Sequence, residues 1–133
     1  MRTAIARVVQ VERRRIASKD EIVFSSPLPP GTNNLFLNIA GKGRIKSRRY
    51  RDWIKEAGWS IQAARCGWID GPVTVAITLP DKMRLDTDAA IKPLLDLCVR
   101  HHLIEDDAAR IIRGLSVSLA PIDGAKVTIR RAA

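Results

Sequence analysis

The chain has 133 residues, 46% of them hydrophobic, and a formal net charge of +9 at pH 7. That length suits one domain with a real core, and that apolar content excludes a disordered tail. No apolar run reaches the roughly 18 residues of a membrane span, and the Arg-rich start MRTAIARVVQVERRR lacks the continuous apolar stretch of a secretory signal.

Ile5 to Glu12 alternates with a period near two and is expected as a strand, within an N-terminal extension covering residues 1–21. Arg13, Arg14 and Arg15 follow as a basic run in or beside a turn, and Glu21 to Ser25 is a second strand. PLPPGTNN reads as a loop, continued by GKGRIKS as a flexible, basic arm. From Ser47, a suitable N-cap, the period becomes helical: Tyr50, Trp53, Ile54, Ala57, Ile61 and Ala64 recur at steps of three and four. Trp53 belongs to the core by this spacing, and core packing is expected over base stacking for Trp59 and Trp68. Gly71-Pro72 introduces a strand, VTVAITL, that ends at Pro80. After a loop from Asp81 to Asp86, a helix runs from about Asp88 to Arg100. Pro93 falls early enough to kink its first turns without ending it. Two further strands, around Ile111 to Leu119 and Lys126 to Arg130, are joined by PIDGA, whose Asp-Gly marks a tight turn. The order β-β-α-β-α-β-β describes an α+β fold, a single domain over 1–133 with a mixed β-sheet and two main helices. Cys66 and Cys98 sit in no metal or redox spacing, so both are expected as thiols in a reducing compartment, the cytoplasm.

Charge is unevenly distributed. Residues 1–60 hold thirteen Lys and Arg against five Asp and Glu, while seven of the chain's 14 acids lie between Asp81 and Asp107. A basic half facing a polyanion points to nucleic acid. Lys42, Arg44, Lys46, Arg48, Arg49 and Arg51 are the candidate phosphate contacts. No helix-turn-helix, zinc finger or RNA-binding sheet motif is visible, so base-specific readout is not expected.

Asp86 and Asp88 stand two apart, and both gather at an N-terminus if the helix starts at Asp88. Lys92 then lies one turn above Asp88 on the same face. Each acid also has an ordinary reading: helix capping for Asp86 or Asp88, a turn acid or the cap of a short DAARI helix for Asp106 and Asp107. For Lys92 the ordinary reading is a surface ion pair. Together, carboxylates held close repel and raise one another's pKa unless a cation sits among them. Oxygen ligands of this kind suit Mg2+, whereas zinc has no Cys/His spacing to support it. The pair His101-His102 is explained by the negative end of the helix dipole.

PPGTNN, a basic arm and helix, DTDAAIKPLLD and LIEDD, in this order, resemble the RusA family of Holliday junction resolvases. That family shows an early Pro-Pro-x-x-Asn loop, a D-x-D-N-x-x-K segment often followed by Pro-Leu-Leu-Asp, and a later hydrophobic-x-Asp-Asp. Here these are Pro29-Pro30 with Asn33 or Asn34, Asp86 and Asp88 with Lys92, IKPLLD at 91–96, and Ile104-Glu105-Asp106-Asp107. The likeness spans roughly residues 22 to 131. Three positions depart from the pattern: Ala89 replaces the usual Asn, His102 a frequent Gly, and Ala109 a frequent Gln.

The resemblance implies a homodimer that cuts four-way DNA junctions with Mg2+, for which Mn2+ substitutes, in a bacterial or phage setting. By position it makes Asp86, Asp88 and Asp107 the catalytic and metal-binding carboxylates, with Asp106 beside them, and Lys92 the catalytic lysine near the scissile phosphate. The expected reaction is metal-assisted phosphodiester hydrolysis. The rival expectations are a non-catalytic basic nucleic-acid-binding protein and a nuclease for another branched DNA or for RNA.

Overall fold

The computed structural model describes residues 18–31 and 34–133. The expected strand Ile5 to Glu12, the arginine run and Asn33 lie outside the described residues.

The described chain forms β1 (Glu21–Ser26), a hairpin of β2 (Phe36–Ile39) and β3 (Gly43–Lys46), α1 (Arg48–Ala64), β4 (Val73–Pro80), α2 (Thr87–Arg100), β5 (Ile112–Ala120) and β6 (Ala125–Arg131). Four strands make one mixed sheet in the order β1-β6-β4-β5, and β2-β3 form a separate two-stranded sheet. Both neighbours of β6 run antiparallel to it, while β4 and β5 are parallel. Parallel neighbours need a crossover, and α2 supplies it. The described residues form an α+β fold with two helices and a mixed sheet, as the periodicities predict.

Alternation on β4 fixes which face the helices cover. Val73, Val75, Ile77 and Leu79 are buried, while Thr74 between them is exposed. Val127 and Ile129 of β6 and Ile22 and Phe24 of β1 extend that apolar face. Tyr50, Trp53, Ala57 and Ile61 of α1 and Ala90, Leu94, Leu97 and Cys98 of α2 close it, so both helices lie on one side of the sheet. Cys66 and Cys98 are buried free thiols, and burial pushes Cys98 up to about 12. Among the described residues no helix is long and apolar enough to cross a membrane.

Helix α1 starts as expected: Ser47 is the N-cap, and its Oγ accepts the Tyr50 amide at 3.1 Å. The same hydroxyl donates to the Asn34 carbonyl, which ties the loop before β2 to the helix. Trp53 is core, with its indole N–H donating to the Pro27 carbonyl at 2.8 Å. Trp59 departs from the expectation of core packing and is 62% exposed, because it projects from the opposite side of the helix. Trp68 is half-buried, and its carbonyl accepts the Lys19 amide at 2.9 Å.

The basic arm is the main structural correction. GKGRIKS is no flexible extension but the turn and second strand of the β2-β3 hairpin. Lys42 N–H bonds to the Ile39 carbonyl at 3.0 Å, with Gly41 and Gly43 at positive φ, the backbone that a short hairpin loop demands. Phe36 then meets Tyr50 edge-on at 5.6 Å, and the Arg44 guanidinium lies 4.0 Å over the Phe36 ring. These contacts fold the hairpin back against the start of α1.

Candidate active site

A groove of about 480 Å3 runs between α1 and α2, with Tyr50 and Trp53 on one wall and Lys92, Asp96 and Arg100 on the other. Lys46, from the end of β3, and Asp107, from the turn before β5, complete it. Lys92, Asp96 and Arg100 recur every four residues and therefore form one stripe of α2. The helix continues through Pro93, which lies buried in the groove wall.

Lys92 is the centre of the arrangement. Its Nζ lies 2.8 Å from Asp107 Oδ2 and 2.9 Å from Asp96 Oδ1. The hydrogen bonds to these two carboxylates, Asp107 foremost, hold the ammonium well above its ordinary pKa. Reciprocally, the bond from Lys92 holds the Asp107 carboxyl below the usual carboxylate range. Both groups are therefore ionised at neutral pH. Burial first, and the Asp96 charge second, push the Tyr50 hydroxyl up, so it remains protonated on the groove wall.

Asp106 and Asp107 have different tasks. Asp106 Oδ1 accepts the Asp107 amide at 2.8 Å, and its Oδ2 pairs with Arg110 at 3.5 Å, so it braces its own turn. Asp107 is the one of the two aimed at Lys92. The tight turn between residues 105 and 110 brings it there without the short helix that DAARI allows.

Asp86 and Asp88 sit at the N-terminal end of α2, Asp88 one turn before Lys92. Asp86 is the N-cap residue, with extended backbone, yet its side chain makes no capping bond. Asp88 lies in the first turn, and both side chains are exposed. Lys92 lies one helical turn from Asp88, as expected, and among the described residues its ion pairs are with Asp96 and Asp107. The structure thus pairs Lys92 with Asp107, while Asp86 and Asp88 stand at the start of the helix that carries Lys92. Among the described residues no three Asp, Glu, His or Cys side chains are gathered into a group that would hold a metal. The donors, being carboxylates, suit a hard divalent cation in kind.

The six candidate phosphate contacts are all exposed. Lys46 lines the groove, Arg49 lines a separate depression beside Pro29 and Pro30, and Arg48 pairs with Asp52 at 3.8 Å. Arg100, Asp96 and Tyr50 are groove residues absent from the sequence-derived set. The first two were open to discovery at four-residue steps from Lys92.

At the C-terminal end of α2, the chain's departure to His102 acquires a physical meaning. His102 adopts φ +58°, the left-handed conformation in which glycine is favoured, and the Leu103 amide bonds back to Cys98 O at 2.9 Å. His101 packs against α1 at Gly58, where an added Cβ would lie 3.0 Å from the imidazole. Burial, then the charges of Arg100 and His102, hold His101 below its ordinary pKa and keep it neutral.

No protein-family model matches the chain and no curated protein matches it significantly, so the likeness to the RusA family rests on the motif residues themselves.

Proposed function

We propose that the protein is a Mg2+-dependent, structure-selective endodeoxyribonuclease that resolves four-way DNA junctions by paired phosphodiester hydrolysis. The observation that carries this reading is the Lys92 ammonium, tied to Asp96 and Asp107 in an open groove that also presents Lys46 and Arg100. A DNA phosphate entering the groove meets three cations on two walls. Lys92, protonated throughout the neutral range, acts on charge developing at the phosphoryl oxygens and not as a base. Asp96 and Asp107 fix where that charge stands. Mg2+, when bound, would polarise the phosphate and lower the pKa of a coordinated water. The residues to hold it are Asp86, Asp88 and Asp107, with Asp106 adjacent.

Exposed Lys42, Arg44, Lys46, Arg48, Arg49 and Arg51 supply electrostatic attraction for the backbone. Engagement of about five would give a log-log salt slope near −4.5. Symmetric resolution takes one site per cut strand and hence a homodimer. The β5 edge of the sheet leaves Leu115 45% and Leu119 55% exposed opposite buried Val75 and Leu79, a surface where a second copy would pair. The buried thiols accord with a reducing compartment, and the cytoplasm of a bacterium or phage-infected cell is the proposed setting.

The test is nicking of a synthetic mobile four-way junction with Mg2+, with EDTA and with Asp88→Asn, a substitution at an exposed side chain. Paired symmetric nicks that require both the metal and Asp88 are expected. Equal cutting by Asp88→Asn would reject the site, and faster cutting of a flap or an RNA duplex would reassign the substrate. One observation favours the second reading, a non-catalytic nucleic-acid binder: among the described residues no three such acids are gathered into one group. Tight junction binding without cutting, in Mg2+ or Mn2+, would select it.

A further inference from the structure

Trp59 is 62% exposed on α1, although tryptophan normally hides most of its surface. The core does not need it, since Trp53 on the same helix already stacks on Tyr50 at 6.0 Å and is buried. Helical geometry places Arg51, Lys55 and Trp59 at successive four-residue steps, a stripe about 12 Å long. All three are exposed. The stripe begins in a first turn that holds no acid but carries Arg48, Arg49 and Arg51. Asp52 is drawn to Arg48, and Glu56 neighbours Trp59 three residues before it, beside the stripe. A polyanion is therefore guided along Arg51 and Lys55, and it arrives at an indole face in water.

We infer that this stripe is a stacking platform for an unpaired DNA base, with Arg51 and Lys55 holding the phosphates beside it. The inference rests on the nucleic-acid reading above and adds to it a single-stranded element of the substrate. Cations that track the backbone and an aromatic face that accepts any base are together how proteins hold single strands without reading sequence. A base within a duplex has both faces covered and offers none to Trp59, whereas a strand opened at a branch does.

The experiment compares the wild-type chain, Trp59→Phe and Trp59→Ala on fluorescein-labelled oligodeoxythymidylate and on a blunt duplex of equal length. Binding is read by anisotropy, and stacking by quenching of intrinsic tryptophan emission with unlabelled oligonucleotide. Quenching is expected for the wild type and should be lost in Trp59→Phe, whose ring still stacks and keeps affinity within a few-fold. Trp59→Ala should bind the single strand roughly 5- to 150-fold more weakly and the duplex unchanged. Unaltered single-strand affinity in Trp59→Ala would overturn the platform while leaving DNA binding intact. Equal losses on both DNAs would overturn the assignment to an unpaired base. Trp59-dependent binding of oligouridylate alone would overturn the assignment to DNA. Failure of the wild type to bind any DNA would sink the inference together with the nuclease reading.

Discussion

Lys92→Met separates the lysine's role in the reaction from its role in the fold. The substitution keeps an unbranched, helix-compatible side chain and deletes the ammonium that bridges Asp96 and Asp107. Its structural cost is small, because the Lys92 side chain is 69% exposed, with partners at 44% and 30%. Pairs in such surroundings contribute roughly 0.2–1 kcal/mol each, so a total near 1 kcal/mol is expected. For a chain of this length that lowers Tm by roughly 3–4 °C. The catalytic cost is larger: removing a preorganised group that stabilises transition-state charge typically lowers kcat by about 10²–10³. Junction affinity should change little, with the salt slope flattening by about 0.9 if one phosphate contact is lost. Thermal denaturation and single-turnover cleavage of an end-labelled junction measure the two quantities side by side. Cleavage within threefold of wild type would refute the role given to Lys92. A Tm loss beyond about 10 °C would refute the claim that its ion pairs are marginal to the fold.

Other outcomes follow from single positions. Gly124 has φ +69°, and an added Cβ would meet the Ser26 carbonyl oxygen at 2.5 Å, so Gly124→Ala should push β1 off the β5-β6 turn. The expected loss, seen by urea denaturation, is about 2 kcal/mol or more. His102→Gly should do the reverse, relieving a left-handed residue and stabilising the chain by about 0.5–1 kcal/mol in the same measurement. For Asp107 the folded-state pKa is lowered, so the contribution of its pair with Lys92 is present above the ordinary carboxylate pKa and vanishes as pH falls through the lowered value. The raised pKa of Lys92 keeps the pair intact into alkaline solution, so Asp107→Asn should trail wild type in Tm at pH 7 and converge with it below about pH 4. A gap constant from pH 7 to pH 3 would contradict this assignment. Leu119→Lys, on β5 at the edge of the described sheet, should shift the proposed homodimer to monomer in light scattering without unfolding it, since Leu119 is 55% exposed.

How much of this was legible in the residues depended on whether burial imposed a period. The buried faces of β1, β4 and β6 alternate, α1 repeats its apolar positions every three or four residues, and each observed boundary falls within a residue or so of the expected one. The β2-β3 hairpin escaped notice because burial hardly shapes it. Its strands have four residues each and are mostly exposed, and its Gly-Lys-Gly turn resembles a loop when no buried alternation flanks it. Trp59 escaped for a related reason. Its type suggested core, whereas its angle on the helix, opposite the Tyr50, Trp53, Ala57 and Ile61 face, decides exposure.

The site divides along the same line. Lys92 with Asp96 is a local relation, set by four residues of helix, and the sequence determines it without further help. So are the cap at Ser47, the turn at Gly124 and the concentration of carboxylates between Asp81 and Asp107. Which acid meets Lys92 is not local. Asp88 and Asp107 both carry the right charge, and the nearer in sequence is the one left unpaired with it. Tertiary structure makes that choice: α2 crosses from β4 to its parallel neighbour β5, and the turn before β5 returns Asp107 to the middle of the helix it has just left. Side-chain type and spacing determine what each element can offer, while the crossover decides which of those offers stand within 3 Å of each other, because only chain closure can bring together residues beyond a helical turn.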